Sequence, residues 1–365
     1  MLVAIYYMVV GEHTLKEWIA FSTDHRRIGK GIKHLVIPPR EWDRSWDRLK
    51  EEWRRYAANS SVLSAGPPGS WDEAMATFAS VIKDDSNLKM YYSGRRDNWI
   101  AGQIGLATSE DGENWIKFPG NPILKLGPLG SWDDTRIWCP MVWKEEVYHM
   151  IYSALDSKGI IQVGYASSAD GIHWTKSVGN PVFNDPTWAH DHTEGWGVIK
   201  VEETYLLWYN TLGGGVDREV GVAVSRDLIN WMPHSDSPVF ASAHETDRHH
   251  QFCVFPFRYR DFYYLIVPSQ GGSKNYTAFY LYRCKNPYFS EKDRECLKRI
   301  LLPGRTGEWD ACDLDTPFLI THSVARTTFY KNQFWLYYSG EGGKDRWKEG
   351  LVREPNIEQC LQVPR

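Results

Sequence analysis

Two stretches of the chain place an acidic pair at the same point of a repeated motif. They read GPPGSWDEAM (66–75) and GPLGSWDDTR (127–136), so Asp72 with Glu73 corresponds to Asp133 with Asp134. Carboxylates gathered in one pocket repel each other, and this raises the pKa of some of them. A proton donor and a proton acceptor that work at the same pH need such a split. The repeat therefore raises the possibility of general acid–base chemistry.

Histidine and arginine residues stand near other acids. His190 and His192 precede Glu194, and His249 and His250 precede the apolar run FCVFPF. Such histidines can orient a substrate hydroxyl or bind a metal, although solvent-facing loop histidines are an equally good interpretation of His190. We expect His250 to contact substrate, because the buried strand that follows fixes its place. Arg136, in DDTRIW, can hydrogen-bond hydroxyls or an anion.

These residues stand at the starts of repeated units. The first unit contains ATFASVIK, LKMYYSG, QIGLATSEDGENW and NPIL, and the second contains CPMVWK, YHMIYSA, IQVGYASSADGIHW and NPVF. The third has the same plan, and two divergent units follow. Five units of four strands predict an all-β fold, a five-bladed β-propeller that forms a single domain over 1–365. The predicted blades lie near 72–124, 133–183, 191–240, 249–302 and 313–352.

The last unit stops after three strands, so another segment must complete it. Residues 17–37 resemble the end of a blade, and we predict that this N-terminal strand region closes the ring. Residues 40–58 carry charges and tryptophans at helical spacing, which predicts a short helical insertion. The turns SEDGENW, SADGIHW and SRDLINW resemble the Asp-box of other propellers. Their aspartates are expected to cap the turn, and their tryptophans to pack between sheets.

In a propeller the innermost strands all start at one face, so acids at these starts converge on the axis. The candidate acids are Asp72, Glu73, Asp133, Asp134, Asp191, Glu194, Glu245, Asp247, Asp310, Asp313 and Asp315. For any single acid, the alternative that it only caps a turn is equally good. Convergence of the whole set predicts a site there.

Composition limits the partners. The net charge is −4 with both signs interspersed, and neither a basic face nor a polybasic run is present, so we expect no nucleic acid and no membrane partner. The chain has 52 aromatic residues, of which 18 are Trp. Most of them pack strand faces, but Trp and Tyr, Trp138 among them, can also stack on sugar rings. The start MLVAIYYMVVGEH lacks a basic region and a cleavage site, so we expect a cytoplasmic protein, or a secreted or periplasmic one if a native leader precedes it.

The blade plan together with EGWGVIK (194–200) resembles the five-bladed propeller glycosidases, the superfamily of glycoside hydrolase families 43, 32, 117 and 130. In family 43 the third blade opens with Glu-Gly and an apolar strand, and that Glu is the general acid. The resemblance therefore implies that Glu194 is the general acid. It also implies a base in blade one and an acid-tuning Asp in blade two, where this chain has Phe78 and Cys139. Asp72 or Glu73 as base, with Asp133 or Asp134 as modulator, requires a shifted strand entry, and Asp315 in DLDTP is a further candidate.

Three functions are compatible with these residues. The first is an inverting glycoside hydrolase acting on an oligo- or polysaccharide, with Glu194 as acid, Asp72 as base and Asp134 as modulator. Contacts to substrate are then expected from Glu73, Asp133, Arg136, Trp138, His192, His250 and Asp315. The second, similar to family 130, uses phosphate in place of water, held by a clamp drawn from Arg95, Arg96, Arg136, His249 and His250. The third is a glycan-binding propeller without catalysis. No cofactor or metal is predicted.

Overall fold

The computed structural model describes residues 54–55, 61–85, 87–96, 101–188, 192–213, 217–240, 253–271, 276–301, 310, 313–323, 326–327, 334–341 and 348–354. All of them lie in one compact unit, residues 46–365. They form 22 strands and no helix. Accordingly, no helix within these ranges could cross a membrane.

The strands build five antiparallel blades, as the repeats predicted. Blade 1 contains β2 (Met75–Asp84), β3 (Asn87–Arg95), β4 (Gln103–Ser109) and β5 (Ile116–Lys117). Blade 2 contains β6 (Arg136–Lys144), β7 (Tyr148–Leu155), β8 (Ile161–Ser168) and β9 (Thr175–Lys176). Blade 3 contains β10 (Glu194–Val201), β11 (Thr204–Gly213), β12 (Asp217–Ser225) and β13 (Met232–Pro233).

The last two blades follow the same plan. Blade 4 contains β14 (Phe255–Tyr259), β15 (Phe262–Gly271), β16 (Tyr276–Cys284) and β17 (Glu295–Leu301). Blade 5 contains β18 (Asp313–Leu319), β21 (Phe334–Glu341), β22 (Lys348–Glu354) and β1 (Arg54–Arg55). Between β18 and β21, the short strands β19 (Thr321–Ser323) and β20 (Arg326–Thr327) join the inner edge of blade 1.

A strand from the N-terminal part of the chain pairs with the open edge of blade 5, as predicted. Strand β1 pairs with β22 through Arg54 opposite Arg353 and Arg55 opposite Val352. The predicted helix over 40–58 is therefore wrong at Arg54–Arg55, because pairing with an open strand edge overrides the helical spacing of the charges. The rest of that segment and the predicted closing strands over 17–37 lie outside the described residues.

Aromatic side chains fill the spaces between blades. Trp174 of the second Asp-box packs edge-on against Tyr91 of blade 1, and Trp115 of the first Asp-box packs against Tyr337 of blade 5, with centroid separations of 5.7 and 5.8 Å. The Asp-box aspartates accept backbone amides of their own turns, as Asp111 does from Glu113 and Asn114 at 2.8 Å. The predicted structural role of these turns is confirmed.

Candidate functional site

In blades 1, 2, 3 and 5, a bulge interrupts the pairing near the start of the innermost strand. Register shifts occur between Thr77 and Ser80 in β2 and between Trp138 and Met141 in β6. Inside these bulges, Phe78 and Cys139 both have a φ of 54°, which is costly for a residue other than glycine. Blades 3 and 5 have bulges at the corresponding places.

The side chains at these bulges form a shared apolar cluster. Phe78 of blade 1 meets Trp196 of blade 3 edge-on, at 6.1 Å between ring centroids. Cys139 of blade 2 and Cys253 of blade 4 belong to the same cluster. Because blades 1 and 3 are not neighbours in the ring, their contact places the cluster on the axis. The two positions at which the resemblance led us to expect a base and an acid-tuning Asp hold an aromatic ring and a thiol.

Glu194 lies beside this cluster. It is the first residue of β10, two positions before Trp196, and it is 3% exposed. One of its carboxylate oxygens, Oε1, lies 3.5 Å from Nε2 of His192. The amide of Gly195 donates to Ser153 Oγ of blade 2 at 3.1 Å, which fixes the backbone after Glu194. The structure thus brings the predicted acid and its neighbouring histidine together near the axis.

The loop before Glu194 is tied down by buried hydrogen bonds. Thr193 donates its amide to Ile161 O at 2.9 Å, and its hydroxyl accepts the Asp185 amide at 3.1 Å. Asp185 also accepts the hydroxyl of Tyr209. These bonds hold the backbone that presents both His192 and Glu194.

Across from Glu194 stands Asn210, which sequence reasoning missed. The two residues are direct partners in the β10–β11 ladder. Asn210 Oδ1 accepts the indole N–H of Trp196, and its Nδ2 is buried without a hydrogen-bond partner among the described residues. Blades 1, 2 and 5 have serine at this position, as Ser93, Ser153 and Ser339. The exception in the repeat, WYN in place of YYS or IYS, was a signal visible in the sequence.

The repeated acid pairs are placed differently from the prediction. Asp72 is buried within its own blade, where its Oδ2 accepts Lys117 Nζ at 2.5 Å and Tyr92 Oη at 3.1 Å, and its Oδ1 accepts Ser70 Oγ at 3.0 Å. Asp133 repeats this arrangement in blade 2, with Lys176 Nζ at 2.5 Å and Ser131 Oγ at 2.9 Å. Both carboxylates therefore face the outermost strands β5 and β9 and not the axis.

The second acid of each pair binds the turn that precedes it. The amide of Gly130 donates to Asp134 Oδ2 at 2.7 Å, and this bond contributes most to the lowering of the Asp134 pKa. In the same way, the Gly69 amide donates to Glu73. The geometry favours a turn-capping role over the predicted modulator and substrate roles for this pair.

Two arginines lie where acids were expected to converge. Arg136 begins β6, with its guanidinium carbon 3.7 Å from the ring centroid of Trp138. Arg95 ends β3 opposite Met75, so it lies at the entrance of blade 1. Trp138 itself is buried in the axial cluster, which leaves its ring little surface for stacking on a sugar. Arg96 is exposed, and its Nη2 donates to Gly69 O at 2.8 Å.

Among the acids predicted for blade 5, buried Asp310 accepts the Tyr338 hydroxyl at 2.7 Å, and Asp313 and Asp315 lie in β18.

The clearest candidate of these is Asp315. It is half-buried in β18, next to the bulge residue Thr316, whose amide donates to Asp315 Oδ1 at 2.7 Å. His250 and His249 lie outside the described residues, as do Asp191, Glu245 and Asp247. Within the described ranges, no three His, Cys, Asp or Glu residues are grouped in a way that could hold a metal ion.

Comparison with known proteins shows where this fold occurs. No protein-family model matches the chain. A candidate glycoside hydrolase from Parabacteroides distasonis is 17% identical with a TM-score of 0.65, covering 86% of this chain and 98% of that one. Zg3597, a family 117 glycoside hydrolase from Zobellia galactanivorans, is 14% identical with a TM-score of 0.60, covering 86% and 98%. The chain has the five-bladed fold of these glycoside hydrolases.

Two further similarities involve phosphorylases. A solved structure from family 130, described as mannoside phosphorylases that include hydrolases of β-1,2 mannosidic linkages in Candida mannan, is 17% identical with a TM-score of 0.59, covering 82% of this chain and 93% of that one. A curated relative, a 1,2-β-oligomannan phosphorylase from Thermoanaerobacter sp. (strain X514), is 26% identical over 121 residues. That match covers 30% of this chain and 40% of the relative, so it spans less than half of the relative's length.

Proposed function

We propose that this protein is a glycan-active enzyme that cleaves a glycosidic bond with Glu194 as the proton donor and inorganic phosphate as the nucleophile. The observation that carries the choice of phosphate is that blades 1 and 2 place no carboxylate where a base and a modulator were expected. Phe78 and Cys139 stand at the positions of the family 43 carboxylates, and Asp72 and Asp133 are bound to lysines in their own blades. Phosphate brings its own nucleophilic oxygen and needs no protein base.

The proposed reaction uses Glu194 and Arg136, which begin the innermost strands of blades 3 and 2. A phosphate oxygen attacks the anomeric carbon while the bond from that carbon to the glycosidic oxygen breaks. The departing oxygen takes the proton of Glu194, and the proton of hydrogen phosphate returns to Glu194. The products are a sugar 1-phosphate and a shortened glycan. Arg136 is the residue we assign to phosphate, because a guanidinium binds phosphate oxygens in a bidentate manner.

His192 supports the acid in this scheme. Its Nε2 lies 3.5 Å from Glu194 Oε1, so a small movement lets an Nε2–H group donate to the carboxylate after proton transfer. That contact stabilises the charge that Glu194 acquires as it releases its proton. The partial match to a 1,2-β-oligomannan phosphorylase favours β-1,2-linked manno-oligosaccharides as the first substrates to test.

Hydrolysis is the second candidate, and Asp315 favours it. This carboxylate lies in blade 5 beside the bulge of β18, where its Oδ1 accepts the Thr316 amide at 2.7 Å. In an inverting hydrolase the base must lie about 6.5 to 9.5 Å from the acid, which leaves room for the attacking water. The apolar contact of Phe78 and Trp196 across the axis supports a third outcome, glycan binding without turnover.

One assay distinguishes these outcomes. The full chain is incubated with β-1,2-mannobiose and longer oligomers, with and without inorganic phosphate, and the products are separated by anion-exchange chromatography. Mannose 1-phosphate that forms only when phosphate is added supports phosphorolysis. Free mannose released without phosphate assigns hydrolysis, and binding by calorimetry without product assigns the non-catalytic propeller. Glu194→Gln should remove turnover, and Glu73→Gln, which changes a turn carboxylate, is the matched control.

A further inference from the structure

In blades 1, 2, 3 and 5, the third strand places one residue opposite the serine or asparagine of the second strand. In blades 1, 2 and 3 that residue is aliphatic and fully buried: Ile104, Val163 and Val220. In blade 5 it is Glu349, which faces Ser339 and is also 0% exposed. The sequence shows the same exception, because each of these residues precedes a glycine, as in QIG, QVG, EVG and KEG. A carboxyl group thus replaces an aliphatic side chain only in this blade of the four.

Glu349 lies at the seam where the ring closes. Its Oε1 accepts the hydroxyl of Ser339 at 2.8 Å and the amide of Ala79, in blade 1, at 3.2 Å. The same serine accepts the Phe78 amide at 3.0 Å. The main chain of Glu349 also bonds to Val62 and Leu63, the segment that follows β1. One residue therefore joins blade 5, blade 1 and the N-terminal closing segment.

The environment of this carboxyl opposes a negative charge. Burial raises its pKa to about 8, and the nearby Asp315 carboxylate of β18 adds to the rise, while Ser339 and the amides of Phe78 and Ala79 partly offset it. Its Oε2 is buried and has no hydrogen-bond partner among the described residues. Among the described residues of the strands packed against Glu349, Asp315 is the charged group whose electrostatic repulsion affects the Glu349 carboxyl. An ionised Glu349 would leave one buried oxygen without compensation.

We propose that Glu349 is a protonation-dependent latch, which joins blade 5 to blade 1 when it is protonated and weakens the closing seam when it is ionised. The proton resides on Oε2 and passes to solvent when the seam opens. The latch also holds the amide of Phe78, whose ring faces Trp196 across the axis. Ionisation of Glu349 therefore also disturbs the axial cluster. This proposal does not depend on the reaction proposed above.

The direction of the pH effect follows from linkage. The folded pKa of about 8 lies above the ordinary glutamate pKa of 4.5, so the folded chain binds the proton more tightly than the unfolded chain. The contribution of the latch is complete below pH 4.5 and is lost as the pH rises through 8. Over that window the ratio of folded to unfolded chain should fall by about 10³-fold, and this fall should be absent when position 349 cannot ionise.

The test is equilibrium unfolding of the full chain in urea at pH 5, 7 and 9. We expect the urea midpoint of the wild type to fall as the pH rises. Glu349→Gln and Glu349→Val should remove most of that fall, and at pH 9 their midpoints should be higher than that of the wild type. The matched control is Glu145→Gln at the seam between blades 2 and 3. Glu145 is ionised and bound to Lys200 at 2.9 Å, so its loss should lower stability and preserve the wild-type slope between pH 5 and 9.

A variant that keeps the wild-type slope, or that is less stable than the wild type at pH 9, would overturn the proposal. If neither position-349 variant folds, hydrogen exchange of the wild type decides the question. The peptide over 75–84 should then lose protection between pH 7 and 9 beyond the intrinsic rise in exchange rate, while the peptide over 136–144 should not. Equal loss of protection in both peptides would exclude a latch at this seam.

Discussion

Replacing Asp72 by Asn separates its observed contacts from the role that its sequence position suggested. Asp72 is 2% exposed and bonds to Lys117, Tyr92 and Ser70. Asparagine keeps the shape but loses the charge that pairs with Lys117. Breaking a fully buried ion pair costs about 3 to 5 kcal/mol, and an exposed pair about 0.2 to 1. Because the Lys117 side chain is 27% exposed, we expect an intermediate loss of about 2 to 3 kcal/mol.

The measurement is thermal unfolding followed by circular dichroism. With an unfolding entropy of about 2.1 cal/mol/K per residue, that loss lowers the Tm by roughly 3 to 4 °C. Lys117→Met and the double variant complete a double-mutant cycle, which isolates the energy of the pair. Asp133→Asn should behave like Asp72→Asn, because Asp133 pairs with Lys176 in the same way.

The competing expectation differs in kind. A base at the axis would leave the Tm of Asp72→Asn nearly unchanged and lower turnover by 10² or more. We expect the opposite, namely a lower Tm and a turnover within about threefold of wild type at temperatures where the variant is folded. An unchanged Tm with lost turnover would refute our interpretation of the acid pair and return Asp72 to the list of catalytic candidates.

Four further predictions concern the proton donor Glu194, the phosphate-binding Arg136, the buried Asn210 and the closing strand β1. Glu194→Gln should lower turnover by about 10² on substrates with poor leaving groups and much less on activated aryl glycosides, and equal losses in steady-state assays would contradict an acid role. Arg136→Ala should raise the KM for phosphate about tenfold with Arg136→Lys in between, whereas an unchanged KM would place phosphate elsewhere. Asn210→Ser removes the acceptor of a buried indole N–H and should cost about 1 to 2 kcal/mol in urea unfolding; no loss would mean that Ser replaces it. Deleting residues 1–60 removes β1 from the edge of β22 and should give aggregates in size-exclusion chromatography, while a soluble monomer would show that this edge needs no partner.

The blades could be predicted from the sequence because their signals are local and repeated. Alternating apolar residues, turn glycines and the Asp-box motif recur in the same order in each unit, so five blades followed directly from the repeat. The Asp-box aspartates interact within five residues of chain, and their contacts depend on little else. Strand order and turn structure were predictable for this reason.

The direction of the acid pair could not be derived from the repeat alone. Asp72 and Glu73 precede β2, where strand alternation does not yet apply, and the partner of Asp72 lies 45 residues away at Lys117. The signal existed, since Lys117 and Lys176 both stand two residues after an Asp-box tryptophan. It pointed to a buried ion pair inside a blade, a contact that becomes evident only when all four strands of the blade are placed in space.

The sequence predicted the parts of the candidate site that depend on neighbouring residues, and it did not predict the parts that depend on contacts between blades. Glu194 and His192 come together because they are two residues apart at a strand start. The apolar axis depends on side chains from four blades and on bulges with positive φ, which a single sequence does not specify. The helix predicted over 40–58 failed at Arg54–Arg55 because the edge of β22 selects its partner by pairing geometry, and the helical spacing of the charges has no bearing on that choice.

The hydrogen bonds from backbone amides near the bulges to serines of the preceding blade run the same way around the ring, so the order of synthesis decides when each of them can form. Ser93 of blade 1 receives the Cys139 amide of blade 2, 46 residues later, and Ser153 of blade 2 receives the Gly195 amide of blade 3, 42 residues later. Each of these amides finds its serine already made when it leaves the ribosome. The Phe78 amide is the exception, because its acceptor, Ser339, follows 261 residues later. The first blade to be translated is therefore the last whose bulge amide can reach its serine. In a nascent chain that ends before Ser339, the Phe78 amide can bond only to solvent or to a chaperone.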